Sequence, residues 1–155
     1  FFFIHTTPYE MLRSLVGSEM CIRDRTEQYH LTNQIKFIDH CEDMALAYKV
    51  SDIIVSASIE PEAFGRVAVE AQSMEKLIIA SNIGGSNETI IDEKTGFLFK
   101  SGNAESLSKK IIHGLTMDET SRNLMGKEGR NNIIKKFNVE KMCFSTYSEY
   151  KRLLN

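Results

Sequence analysis

Cysteine is scarce in this chain, and what there is forms no framework: Cys21, Cys41 and Cys143 are all that 155 residues contain. An odd number without CxxC spacing excludes a disulfide scaffold or a zinc site and points to a reducing compartment. Long apolar runs are missing too, none approaching the roughly 18 residues that a membrane-spanning helix needs. The apolar opening Phe1-Phe2-Phe3-Ile4 is too short for a secretory leader, lacks a basic region and precedes no small-residue cleavage site. Nor does one charge dominate, the net value being -2. The doublets Lys109-Lys110 and Lys135-Lys136 read as solvated helix faces rather than anion sites, so nothing calls for nucleic acid. What remains, at 42% apolar residues, describes one soluble globular domain.

Periodicity orders the chain as strands alternating with helices. A short helix is expected over 26–31, then a strand over 35–39, then a loop, Asp39-His40-Cys41-Glu42-Asp43, whose acids open a helix over 44–49. Ile53-Ile54-Val55-Ser56 is an apolar, β-branched run of the kind buried on both faces of a sheet. Glu60-Pro61-Glu62 cannot continue a central strand and marks the loop after it. A helix over 67–74, a strand over 77–81, a short helix through Ile91 and a last strand over 96–99 follow. Strand, loop, helix and strand at these lengths imply a parallel sheet with crossover helices, an α/β Rossmann-like architecture. Three helices close the chain: one with Leu107, Ile111, Ile112 and Leu115 toward the core, one with Leu124, Met125, Ile133 and Ile134, and one from Val139 toward Leu154. Met142, Tyr147, Tyr150 and Leu153 make a stripe on the last, read as a docking surface.

Residues 58–74 are the stretch with chemistry. Glu70 stands among Val67, Ala68, Val69, Ala71 and Met74, and a carboxylate in apolar company needs a partner. Arg66, one turn earlier, is one candidate, an exposed contact of this kind contributing about 0.2–0.5 kcal/mol. A ligand diol is the other, because two carboxylate oxygens can accept from two adjacent hydroxyls, as an acid holds a ribose in nucleotide-binding folds. Glu62 lies in the loop that feeds the helix. Gly65 lets backbone approach a ligand closely, and the first free N–H groups of the helix suit a diphosphate. Gly84-Gly85 lies in the loop at the carboxyl end of the next strand, where ligands bind in open α/β sheets, although an ordinary turn reads the same way. Two acids flanking open amides suit a phosphate between two polyols, which describes a nucleotide-sugar.

Glu62, seven residues and then Glu70, with Phe64-Gly65 inside, resembles the signature of retaining glycosyltransferases of family 4, in the C-terminal donor domain of the GT-B fold. Leu77-Ile78-Ile79-Ala80-Ser81, Gly84-Gly85, Glu88 and Thr95-Gly96-Phe97-Leu98-Phe99 follow in the order of that family. The resemblance runs from about Asn33 to the C-terminus. It implies that Glu70 binds the ribose hydroxyls, and that Glu62 contacts the transferred sugar as the catalytic candidate. It also implies that the backbone near Phe64, Gly65 and Arg66, with Gly84 and Gly85, completes the donor site. The implied donor is a nucleoside-diphosphate sugar, the implied acceptor a glycan or lipid-linked molecule, with no metal and no cofactor. A cytoplasmic protein, peripheral to the inner membrane face in its full length, is the implied setting. His40 is tempting as a base, but the family draws that residue from another domain.

Departures accompany the resemblance. Glu75-Lys76-Leu77 replaces a usual Gly-Lys-Pro, so the helix ends without the residue that adopts positive φ cheaply, at a cost near 1 kcal/mol. Gln72 replaces a common methionine. The arginine and lysine expected to face the diphosphate would precede Thr26, and the acceptor domain is not in the chain. Residues 14–25, Ser14-Leu15-Val16-Gly17-Ser18-Glu19-Met20-Cys21-Ile22-Arg23-Asp24-Arg25, resemble a translated transposon adapter. Residues 1–25 are therefore expected to be a disordered sequencing artefact, and 26–155 a partial donor domain, without activity and unstable alone. The alternative is a non-catalytic nucleotide-binding or regulatory module, since fold does not fix function.

Overall fold

The structure is a computed structural model describing residues 18–38 and 41–154. Two compact units divide the chain, one ending at Ala47 and the other running from Tyr48 to Asn155.

In the first unit, α1 (Ser18–Gln28) is followed by turns and an irregular segment. The helix overlaps the stretch read as an adapter artefact. The segment holds no glycine or proline to break a helix, and the Thr26 hydroxyl donates to the Ile22 carbonyl at 2.8 Å. The rest of that stretch, residues 1–17, lies outside the described residues. The strand expected over 35–39 is corrected: residues 35–38 form no ladder. The Ile35 amide is taken by the Leu31 carbonyl at 3.1 Å, and Phe37 carries the Arg23 guanidinium 4.4 Å from its ring centroid. Asp39 and His40 lie outside the described residues.

Helix α2 (Met44–Val50) is capped by Asp43, whose Oδ1 accepts from the Leu46 amide at 2.9 Å. The second unit then builds the expected α/β arrangement. Strands β1 (Ile53–Ser56), β2 (Leu77–Ser81) and β3 (Phe97–Phe99) pair in parallel in the order β1-β2-β3. Ile53 lies beside Leu77, and Ile79 beside Phe97. Helix α3 (Arg66–Ser73) makes the first crossover; the short α4 (Ser86–Thr89) lies within the second. Helices α5 (Ala104–Thr116), α6 (Glu119–Lys136) and α7 (Val139–Leu154) follow.

The central strand β2 is buried at every residue. Each fully buried isoleucine or leucine there contributes about 1.5–3 kcal/mol relative to exposure. Leu77, Ile79, Phe97 and Phe99 form one core cluster, against which Leu107, Ile111 and Met125 pack. The expected faces of α5 and α6 are only half right. Ile112, Leu115, Leu124 and Ile134 are exposed, while Gly114, Gly126, Gly129 and Asn132 are buried. Close backbone approach decides this: a Cβ at Gly126 would stand 2.0 Å from the Glu75 carbonyl oxygen. Small residues let α6 lie on the α3–β2 turn, and the apolar side chains beside them turn outward.

Candidate functional site

Three loops follow the carboxyl ends of β1, β2 and β3, and the first two are stitched together. The Gly85 amide donates to the Glu62 carbonyl at 2.8 Å. A Cβ at Gly84 would meet the Glu62 carbonyl oxygen at 2.5 Å, and one at Gly85 would meet the Phe64 carbonyl carbon at the same distance. The glycine pair therefore admits the neighbouring loop's own backbone. The loop after β3 joins through Ser101, whose hydroxyl donates to the Ser58 carbonyl at 3.4 Å, and the Ser58 hydroxyl in turn donates to Glu62 Oε1. Glu62 is half-buried.

Gly65 ends the loop and begins α3 with φ 72°, a left-handed conformation that glycine adopts without penalty. No side chain caps the helix there. The first N–H groups of a helix have no partner within it, so the amides of Arg66 and Val67 are left without a helical partner at its positive end. Phe64 beside them is exposed on one face, and its ring meets Phe137 edge-on with centroids 5.6 Å apart.

One turn into α3, Glu70 has two partners. The Arg66 guanidinium lies 3.3 Å from Oε1, with the arginine side chain 79% exposed and that of Glu70 38% exposed. The Tyr48 hydroxyl donates to Oε2 at 2.9 Å from a ring that is almost wholly buried. Burial, reinforced by that hydrogen bond and by the Glu70 charge, pushes the Tyr48 hydroxyl far above the ordinary tyrosine range, so it stays a donor at neutral pH. The sequence pattern identified Arg66 but not Tyr48. A tyrosine whose ring is buried needs a partner for its hydroxyl, but no local pattern names it.

The seven site candidates thus lie on the carboxyl-end loops and the first turns of α3. Glu62, Phe64, Gly65, Gly84 and Gly85 are brought into direct contact, and Arg66 and Glu70 continue from them along the helix. The histidine considered as a base, His40, lies outside the described residues. Among the described residues no three histidine, cysteine, aspartate or glutamate side chains come close enough to hold a metal ion. Among them, too, no helix is long and apolar enough to cross a membrane.

Residues 14–132 match the family profile of Glycosyl transferases group 1. The capsular polysaccharide biosynthesis glycosyltransferase CapM of Staphylococcus aureus is 29% identical over 133 residues, which are 84% of this chain and 34% of CapM. A glycosyltransferase crystal structure from Rickettsia africae ESF-5 superposes with a TM-score of 0.82 at 36% identity, over 88% of this chain and 36% of that one. Anabaena Alr3699/HepE, crystallised with UDP-glucose, shares the fold at a TM-score of 0.78 and 23% identity, over 88% of this chain and 39% of its own. The chain thus spans little more than a third of the length of these proteins.

Proposed function

Because the chain belongs to the glycosyl transferases group 1 family, as a partial C-terminal domain of the GT-B fold, we propose that it binds the donor for transfer from a nucleoside-diphosphate sugar with retention of configuration. The observation that carries this reading is the uncapped, glycine-started N-terminus of α3, set between the half-buried Glu62 and the paired Glu70. Amides at that end take the diphosphate, as helix N-termini take anions generally. Glu70 accepts from the ribose hydroxyls, and Glu62 meets the transferred sugar. Charge develops on the leaving diphosphate during transfer, and fixed backbone dipoles stabilise it without reorganising.

The acceptor is a glycan or lipid-linked molecule, reached through a domain outside this chain, and the reaction runs in the cytoplasm, with peripheral attachment to the inner membrane face. The stretch alone is without activity, since the acceptor side and the cations expected opposite the diphosphate are not in it. Residues 1–25 derive from an adapter.

Titration of the full-length protein with uridine, guanosine and adenosine diphosphates, beside a Glu70→Ala variant, tests this. One diphosphate should bind tightly and lose about tenfold or more in the variant, as expected for a charged hydrogen-bond acceptor. Equal binding by the variant would remove Glu70 from the site; a folded protein that binds none would leave a non-catalytic module.

A further inference from the structure

The hydroxyl of Tyr48 reaches across 22 residues to Glu70, and the rest of the molecule holds the tyrosine still. Its ring is 4% exposed. The turn that follows is closed by the Ser51 amide on the Tyr48 carbonyl at 3.2 Å. Lys76 pins the adjacent Lys49 carbonyl at 2.8 Å, tying the end of α2 to the turn between α3 and β2. Arg66, the other partner of Glu70, sits in solvent, where a screened pair fixes geometry poorly. Of the two, only Tyr48 can set the carboxylate plane.

A carboxylate offers about four acceptor positions, two on each oxygen. Tyr48 takes one on Oε2 and Arg66 one on Oε1. One position on each oxygen is left, on a side chain still 38% exposed. Two open positions on two oxygens of one plane match two adjacent hydroxyls. We propose that Tyr48 is the positioning residue of the donor site, orienting Glu70 so that both its oxygens face the ribose diol. The inference rests on the reading of Glu70 as the ribose acceptor and assigns to a residue outside the motif the task of aiming it.

Tyr48→Phe removes the hydroxyl and keeps the ring, so packing is retained. In the full-length protein, the affinities of uridine, guanosine and adenosine diphosphates are compared with those of their 2′-deoxy forms, for wild type, Tyr48→Phe and Glu70→Ala. Wild type should prefer the ribose form of its nucleotide about tenfold, the worth of one hydrogen bond to a charged group. Tyr48→Phe should lose most of that preference while binding the deoxy form as wild type does. A packing role alone would weaken both forms together, and an unchanged ratio or a parallel loss overturns the proposal. Glu70→Ala separates the two levels. If it abolishes the preference while Tyr48→Phe keeps it, Tyr48 does not position the acid. If Glu70→Ala itself keeps the preference, the ribose reading of Glu70 fails and takes the role of Tyr48 with it.

Discussion

Glu75 has φ 57°, a left-handed conformation that costs a residue with a Cβ about 1 kcal/mol. The bonds around it explain why the chain accepts that cost. The Lys76 amide returns to the Ala71 carbonyl and the Glu75 amide to the Gln72 carbonyl, both at 3.0 Å, which closes α3 in a Schellman motif. Glu75→Gly should therefore stabilise the protein by about 0.5–1 kcal/mol, less a small loss from the half-exposed pair with Arg130 at 3.7 Å. A higher urea midpoint at constant m-value is the expected reading, and a lower one would mean that the Arg130 pair outweighs the strain. This position was legible because a glycine rule governs it locally. Gln72 was not. It is fully buried, its amide nitrogen bonding the Ala68 and Thr89 carbonyls, and Asn132 of α6 shares the Thr89 carbonyl. Only the docking of α6 makes such a hub, and no local pattern announces it. Tyr48 escaped for the same reason, its partner lying 22 residues away.

Helix starts were the most legible feature among the elements, because caps are short-range chemistry. Asn103 and Asp118 stand where the sequence opens α5 and α6, and each side chain accepts from the amide three residues on, Ser106 at 2.8 Å and Ser121 at 2.9 Å. Helix faces were less legible, since Gly114, Gly126 and Gly129 carry the contacts that the larger apolar residues were expected to make. The cap at Asp118 has a pH signature. The Ser121 side chain and amide hold its carboxyl below the ordinary aspartate range. A lowered folded value means that the cap's contribution is complete above the unfolded aspartate pKa and is lost as the pH falls through the folded one. As the pH falls below the unfolded aspartate value and through the lowered folded one, the first turn of α6 should fray, seen as lost protection of the Ser121 amide against hydrogen exchange relative to its intrinsic rate. Asp118→Asn keeps an acceptor without the titration and should flatten that dependence. Equal pH dependence in both proteins would assign the fraying to another group.

The alternation of β and α segments that the sequence displays becomes a parallel sheet, and the loops at its carboxyl ends carry the candidate site. The expected fourth strand does not form because pairing is a property of two segments: the apolar run around Phe37 looks like a strand, but its first amide, Ile35, bonds the Leu31 carbonyl and residues 35–38 join no ladder. The sheet that results is open. Among the described residues β1 is an edge, half-buried at all four positions, although its sequence Ile-Ile-Val-Ser is that of a strand covered on both faces. Helix α7 buries no residue at all, and Met142, Phe144, Tyr147, Tyr150 and Leu153 are between 62% and 72% exposed. An apolar edge and an apolar helix face of this size favour association over a unique fold. Residues 26–155 alone should therefore melt over a broad range and bind a hydrophobic dye such as ANS at room temperature, with secondary structure retained, as a loosely packed state does. The longer protein should melt cooperatively, and without binding the dye, once these surfaces are covered. A sharp calorimetric transition for the isolated stretch, free of dye binding, would show that β2 and its four-residue core cluster suffice to hold the domain.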